Sequence, residues 1–529
     1  MAKLLRTVVI YLIFRNGWRK LLVVCLIFTF TSILILISSL PYPLTEWIHL
    51  PHPATSSSSN SVRLGENHFS ALGARHEIVQ DNSVVVPHNS STEPNKTVLL
   101  EKKEKDVPQR SKGHRRGRLM DSIGPPSPHM VKRLPRQLER YLSSLSPDEA
   151  LAFVRKDIEN ASRDSGDNPE LYAPLFRNVS TFMRSYEWME QILKVYIYKE
   201  GEKPIFQEPH LSGIYASEGW FLRLMLANRH FVTKDPEKAH LFYLPYSARQ
   251  LQMTLYVPGS HNLNPLIVFL RDYVNMLSSK YRYWNRTRGS DHFIVACHDW
   301  GPYTLKGHKE LLQNTIKALC NADASEGIFD PRKDVSLPET TIRRPRRPLR
   351  NIGGKKVSER SILAFFSGRR HGKVRPELLK HWSDKDDDMR IYGPLPNRVS
   401  RFTSYPQLMK SSKYCICPMG FDVNSPRIVE SIYYECVPVI IADNLVLPFS
   451  DVLDWDAFSF RVPEKDIPNL KEILLAIPME RYIVMQNNVK KLQRHFLWNF
   501  RPVPFDLFHM ILHSLWSSRL KQIQTLLPS

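Results

Sequence analysis

Hydrophobic and polar positions fall into three regimes along this chain. Residues 21–40 (LLVVCLIFTFTSILILISSL) carry no charge, and at about 1.5 Å per residue they are just long enough to cross a hydrocarbon layer of about 30 Å. From residue 41 to about 185 no apolar period is sustained, and Ser56-Ser57-Ser58-Ser59 and Gly124-Pro125-Pro126-Ser127-Pro128 typify the composition. Such a segment buries too little apolar area to offset its ordering entropy, so it reads as a mostly disordered stem. The exception lies near 146–162, where Ser146-Pro147-Asp148-Glu149 reads as a helix start and Leu151, Phe153, Val154 and Ile158 form an apolar stripe. From about residue 186, short apolar runs alternate with helical patterns, as they do in parallel-sheet α/β domains.

Two such halves are expected. In residues 186–345 the strands are 193–198 (LKVYIY), 240–245 (HLFYLP) and 291–297 (DHFIVAC), with helices over 219–228 and 265–280. Residues 343–356, dense in Arg, Pro and Gly, read as a linker. In residues 346–515 the strands are 361–366, 389–392, 414–417 and 437–442, with helices over 374–382, 405–411, 426–435, 467–476 and 478–497; residues 516–529 form a tail. The expected fold is α/β, two Rossmann-like domains facing a cleft, behind a single transmembrane helix and a stem. Ligands of such sheets sit at the carboxyl ends of the strands, which directs attention to the loops after Phe366, Cys417 and Ala442.

The charge pattern sets the topology. Lys3, Arg6, Arg15, Arg19 and Lys20 precede the apolar segment, and no Lys or Arg follows it until Arg63. The positive-inside rule gives a cytosolic tail over 1–20, a signal anchor over 21–40 and a luminal remainder, a type II arrangement. The net charge of +21 first suggests nucleic acid. No zinc-finger spacing, aromatic RNA-binding pattern or basic heptad region accompanies it, and much of the excess lies in the solvated runs 102–118 and 343–350. The sequons at Asn89, Asn95, Asn160, Asn178 and Asn285 all fall on the luminal side. Of six cysteines, Cys25 is in the anchor, and an odd five remain. Cys297 with Cys320 and Cys415 with Cys436 are the disulfide candidates, leaving Cys417; buried free thiols are the alternative. Cys415-x-Cys417 lacks the second ligand pair of a zinc site.

Two loops carry candidate chemistry. Ser367-Gly368-Arg369-Arg370-His371-Gly372-Lys373 joins a strand to a helix, and its exposed amides and cations suit a diphosphate. Ser425-Pro426 is a strong helix start, placing Arg427 in the first turn and Glu430 one turn further on the same face. A cation at a helix N-terminus is locally unfavourable unless an anion joins it, and an acidic residue nearby can accept ribose hydroxyls. A surface ion pair between Arg427 and Glu430 is the alternative.

Cys415-Ile416-Cys417-Pro418-Met419-Gly420, Ser425-Pro426-Arg427-x-x-Glu430, Glu435-Cys436-Val437-Pro438-Val439-Ile440 and Leu447-Pro448-Phe449-Ser450 resemble the nucleotide-sugar half of the exostosin family. Residues 214–221 (IYASEGWF), 235–242 (DPEKAHLF) and 296–300 (ACHDW) resemble plant members. The resemblance spans about residues 186–515. It implies a Golgi type II glycosyltransferase of GT-B fold, inverting the sugar it transfers from a nucleotide donor to a cell-wall polysaccharide, either hemicellulose or pectin. The donor is expected to be a UDP-sugar, with no metal and no other cofactor. Arg369 or Arg370 and Arg427 would hold the diphosphate and Glu430 the ribose. Animal members carry a basic residue where this chain has Met419, so no phosphate contact is implied there.

Inversion needs one general base, expected from the first half; Glu218, His298 and Asp299 are the candidates. Trp220, Trp300 and Tyr303 are candidates for stacking on acceptor sugars. The run Asp384-Lys385-Asp386-Asp387-Asp388 superficially offers a metal-binding Asp-x-Asp pair, but it reads better as a solvated loop. The expected partners are the donor, a polysaccharide acceptor, the Golgi membrane and other glycosyltransferase subunits, like or unlike. A non-catalytic subunit or polysaccharide-binding partner of an active complex is the alternative function.

Overall fold

Two all-parallel β-sheets organise the chain, each built from short apolar runs separated by helices that cover the sheet faces. The structure is a computed structural model and describes residues 133–160, 171–348 and 351–526. It opens with α1 (Arg136–Ser144) and α2 (Pro147–Glu159). Ser146 caps α2: its hydroxyl accepts from the Glu149 amide, and the Glu149 carboxylate accepts from the Ser146 amide at 2.8 Å. Helix α3 (Val179–Ile192), capped by Asn178, leads into the first sheet.

That sheet contains β1 (Val195–Ile197), β2 (Val232–Thr233), β3 (Leu241–Tyr243), β4 (His292–Ala296), β5 (Ile316–Leu319) and β6 (Val335–Ser336), in the order β2-β1-β3-β4-β5-β6. Helix α4 (Ala216–Ala227) follows β1, and α5 (Asn264–Lys280) lies between β3 and β4. Strand β5 escaped the sequence pattern because a charge interrupts it. Lys317 is nonetheless buried, its amine paired with Asp334 at 2.8 Å. Strands β2 and β6 are two-residue edges with no periodicity to read.

The second sheet is made of β7 (Ile362–Ser367), β8 (Met389–Tyr392), β9 (Ser412–Pro418), β10 (Val437–Ile441) and β11 (Phe460–Arg461), in the order β11-β10-β9-β7-β8. Helix α6 (Val374–Trp382) follows β7, α7 (Tyr405–Ser411) precedes β9, α8 (Arg427–Tyr433) follows β9, and α9 (Met479–Leu492) comes after β11. A final helix, α10 (Leu507–Leu526), continues through most of the expected tail at 516–529. It returns to the first half: Phe508 packs on Phe221 with ring centroids 5.7 Å apart, His513 meets the Ser185 hydroxyl at 3.0 Å, and Arg519 donates to Asp148 of α2 at 2.5 Å.

The expectation of a mostly disordered stem over 41–185 is corrected where the chain is described, since α1, α2 and the first half of α3 are ordered, α1 packing on α2 through Tyr141 and Phe153 and α2 and α3 packing on α10. The expected anchor at 21–40 and the sequons Asn89 and Asn95 lie outside the described residues. Among those described, no helix is long and apolar enough to cross a membrane. Asn160, Asn178 and Asn285 are exposed. Disulfides join Cys297 to Cys320 and Cys415 to Cys436, tying the end of β4 to that of β5 and β9 to the start of β10, while Cys417 is a buried thiol.

Candidate donor and acceptor cleft

The loops at the carboxyl ends of the two sheets meet. Val446, beyond β10, donates its amide to Ala322 O beyond β5 at 3.0 Å, and Ser336 at the end of β6 donates its hydroxyl to Val446 O at 2.6 Å. Within this junction, cations come from the second half and carboxyls mostly from the first.

Arg427 opens α8, and its guanidinium crosses to β7, donating to Ser367 O at 2.8 Å and packing over the Phe366 ring at 5.0 Å. Gly368 leaves room for it, since a Cβ there would lie 2.5 Å from a guanidinium nitrogen. Arg375, in the first turn of α6, is buried against Pro418 and Gly420. Among the described residues neither arginine has a carboxylate partner, and the Nε–H of each is buried without an acceptor. Burial and the charge of Arg427 push the Arg375 guanidinium down to about 10. Two like charges with spare donors in a desolvated niche are arranged for an anion.

The loop between β7 and α6 closes over this niche. Gly372 has φ +66°, and a Cβ there would overlap Gly420 O, so only glycine lets the two loops touch. His371 stacks on Phe421 at 4.8 Å, whereas Arg369 and Arg370 are exposed on the outer rim. Ser367 turns its hydroxyl to Gly393 O at 2.9 Å, and the buried Ser425 hydroxyl has no partner among the described residues. Glu430 accepts from the Tyr405 hydroxyl at 2.9 Å and, among the described residues, forms no ion pair with Arg427. Burial raises its carboxyl, and the Arg427 charge opposes the rise.

Across the junction, Asp299 follows β4 and accepts from the Tyr215 hydroxyl at 2.7 Å. Asp422 of the second half accepts from Asn321 at 3.0 Å, and burial with the charges of Asp299 and Glu326 holds its carboxyl well above the usual range. Glu339, three residues past β6, is buried and accepts from Asn424 at 2.9 Å. Burial and the Asp299 charge push Glu339 well above the usual carboxylate range, against the pull of Arg375 and Arg427. His298 is pushed down to about 3 by burial and by the Arg249 charge, so its ring is neutral; its Nδ1 accepts from the Trp300 amide at 3.1 Å.

Glu218 is differently placed. It accepts from the Ser247 hydroxyl at 2.6 Å and from the amides of Arg249, Cys297 and His298 at 2.9, 2.7 and 3.4 Å. Both oxygens are occupied, and the carboxyl fastens the loop that presents His298 and Asp299. Burial raises its pKa and these four hydrogen bonds oppose the rise. Trp220 is wholly buried against Trp498 and Phe500, while Trp300 is half-exposed beside Tyr256 at 4.5 Å. Tyr303 donates to Glu326 at 2.8 Å. In the acidic run, Asp384 pairs with Arg398, and Asp386 with Lys471 at 2.5 Å.

The structure thus brings Ser367, Gly368, Ser425, Arg427, Glu430, His298 and Asp299 to one junction, with Glu218 behind it and Arg369 and Arg370 at its edge. Sequence reasoning missed Arg375, Glu339, Asp422, Asn424 and Tyr215. Recognising β6 would have exposed Glu339 through the strand-end rule; Arg375 looked like an ordinary helix residue just past a basic loop.

A family description, the Exostosin GT47 domain, matches residues 189–477. Probable glycosyltransferase At5g03795 of Arabidopsis thaliana is 47% identical over 386 residues, covering 72% of this chain and 73% of its own. Probable beta-1,4-xylosyltransferase IRX10 of Arabidopsis thaliana is 30% identical over 61% of this chain and 81% of its own. Probable glucuronosyltransferase Os01g0926600 of Oryza sativa subsp. japonica is 30% identical, with the same coverage of 61% and 81%.

Proposed function

Because the chain belongs to the exostosin GT47 family and is a glycosyltransferase, we propose that it transfers a neutral or uronic sugar from a UDP-sugar to a cell-wall polysaccharide, with inversion and without a metal, in the Golgi lumen. The observation that carries this reading is the buried Arg375 beside the half-buried Arg427: among the described residues neither has an ion-pair partner, and both face Asp299 and Glu339 across the junction. The relatives named as xylosyl- and glucuronosyltransferases support a polysaccharide product. The uncharged segment 21–40 with its preceding basic residues supports a type II Golgi anchor. The two facing parallel sheets support a GT-B arrangement.

The chemistry follows from the charges. As the bond between the anomeric carbon and the diphosphate oxygen breaks, the leaving nucleotide takes the electron pair and gains negative charge. Fixed guanidiniums favour that state over the ground state. The acceptor hydroxyl oxygen forms the new bond from the opposite face, and its proton passes to Asp299, the candidate carboxyl that Tyr215 orients while leaving it half-exposed. Arg369 and Arg370 add positive potential at the rim, and Glu430 lies within reach of a ribose once the nucleotide displaces its present partners.

The test is thermal unfolding of the full-length protein in detergent with UDP, GDP or no nucleotide, with and without a chelator. UDP is expected to raise the midpoint in a chelator-insensitive way. Arg427→Ala is expected to abolish that shift while leaving the unliganded midpoint near wild type. No response to either nucleotide would favour the non-catalytic subunit, and a response lost on chelation would make donor binding metal-dependent. Asp299→Asn is expected to retain the UDP shift and lose sugar transfer.

A further inference from the structure

We propose that Asn424 and Glu339 make the sugar end of this cleft selective for a nucleotide sugar whose sugar is neutral, and that they exclude a uronic one. The inference rests on the reading of Arg375 and Arg427 as the diphosphate site and adds to it the class of sugar that the nucleotide carries.

The loop from Gly420 to Arg427 spans the arginine niche. A Cβ on Gly420 would lie 3.0 Å from the Arg375 guanidinium, and Arg427 opens α8 at the other end of the loop. Asn424 and Ser425 stand between, so they are the polar residues of this loop nearest to a sugar joined to a diphosphate held by both arginines. Asn424 reaches across to the first half, where its Nδ2 donates to Oε2 of the buried Glu339 at 2.9 Å. Asn321 of the first half reaches back, its Nδ2 donating to Asp422 Oδ1 at 3.0 Å. Each amide thus turns its donor nitrogen to an acid of the opposite half. The carbonyl oxygen of each, and the Ser425 hydroxyl beside Asn424, are buried without a partner among the described residues. An amide oxygen only accepts, and leaving such atoms unpaired in a desolvated place is costly. The hydroxyls of a neutral sugar are the donors that would pair them.

A uronic sugar fits this set poorly. Its carboxylate is acceptor-only, so it brings the oxygens of Asn321 and Asn424 nothing, and it adds a negative charge beside Glu339, Asp299 and Asp422. The two negative charges of the diphosphate already balance Arg375 and Arg427. Of the other cations around the junction, Arg343, Arg369 and Arg370 are exposed, and Arg249 is engaged by Gln252 at 2.9 Å and by the Tyr215 ring at 5.8 Å. A hydroxyl, by contrast, either donates or accepts, so a neutral sugar meets Glu339 whichever protonation state that carboxyl holds. Selectivity therefore comes from unpaired acceptors that attract one class of sugar and carboxyls that repel the other.

The test is calorimetric titration of the full-length protein in detergent near pH 7 with UDP, UDP-glucose, UDP-galactose, UDP-xylose, UDP-glucuronate and UDP-galacturonate. At least one neutral UDP-sugar is expected to bind about threefold or more tighter than UDP, and both uronates about tenfold or more weaker than that sugar nucleotide. Glu339→Gln keeps an acceptor for Asn424 and removes the carboxyl, and Asn424→Ala removes the free amide oxygen. Each is expected to cut the neutral-to-uronate ratio by about threefold or more. A general loosening of the cleft would weaken every UDP compound alike and leave that ratio unmoved, so a ratio unmoved in both variants would overturn the assignment to these residues. Neutral UDP-sugars no tighter than UDP, or a uronate as tight as any of them, would overturn the selectivity itself. That comparison is made on the wild type and decides even where a variant fails to fold. Absence of UDP binding would instead sink the diphosphate reading underneath, and the inference with it.

Discussion

A buried arginine without a carboxylate is costly, because desolvating the charge loses several kcal/mol of hydration that hydrogen bonds must replace. Among the described residues Arg375 has only a long contact to Pro418 O at 3.5 Å, and it lies near a second guanidinium, Arg427. The folded protein therefore carries an electrostatic cost at this niche that a bound diphosphate would offset. Arg375→Met keeps the volume and removes the charge. It is expected to leave unliganded stability unchanged or raised by about 1 kcal/mol while weakening UDP binding at least tenfold, as read by denaturant unfolding and UDP titration. A large stability loss would mean that Arg375 is structural. Glu218 shows the opposite use of a buried charge: four donors converge on it and none is left for a ligand. Its position before a helix in a candidate catalytic loop was legible in the sequence, but the convergence of amides from residues 249, 297 and 298 was not.

Local signals located most strands and helices. The run 389–392 and the helices at 374–382 and 405–411 were readable to the residue because β-branched or aromatic stretches and Ser or Pro starts bound them. What escaped were elements whose reason for existing lies elsewhere in the chain. Helix α10 carries His509, His513, Ser518 and Arg519, a composition that reads as a polar tail, yet all four are buried, and His509, His513 and Arg519 meet the distant Glu190, Ser185 and Asp148. Arg519 is fully buried and leans on Asp148, 371 residues away. The same contact places the start of the folded head ahead of residue 171. A soluble fragment starting at residue 133 keeps α2 on α10 with α1 packed on α2, whereas one starting at 171 uncovers the packing partners of Leu151 and Val154 and strips Arg519 of its carboxylate. The shorter fragment is expected to aggregate or to lose about 2 kcal/mol or more, measured by secretion yield and denaturant midpoint against the longer one. Equal behaviour of the two would show that α1 and α2 add nothing to the fold.

Across the whole molecule, buried titratable groups pull stability in opposite directions with pH. Burial pushes His240, His495 and His513 down to about 4 and His298 to about 3, against about 6.5 when unfolded. Between pH 6.5 and 4 the unfolded chain binds more protons at these rings, so their contribution is present above 6.5 and is lost on acidification, by up to about 3 kcal/mol for each ring. The carboxyls of Glu218, Glu339, Asp422 and Glu430 are raised, so the folded protein keeps protons that the unfolded chain releases above its own carboxylate pKa. Their contribution is present at low pH and is lost as pH rises through the folded values. The two slopes oppose each other from about pH 4 to 6.5, where the unfolded chain takes up protons at the rings and releases them at the carboxyls. The thermal midpoint of the full-length protein is therefore expected to vary less over this range than the four rings alone would dictate. Asp422→Asn removes a carboxyl that burial, Asp299 and Glu326 keep protonated in the fold, so it should make the midpoint rise more steeply with pH there. A pH profile unchanged in that variant would place the pH-sensitive carboxyls away from the junction between the two halves.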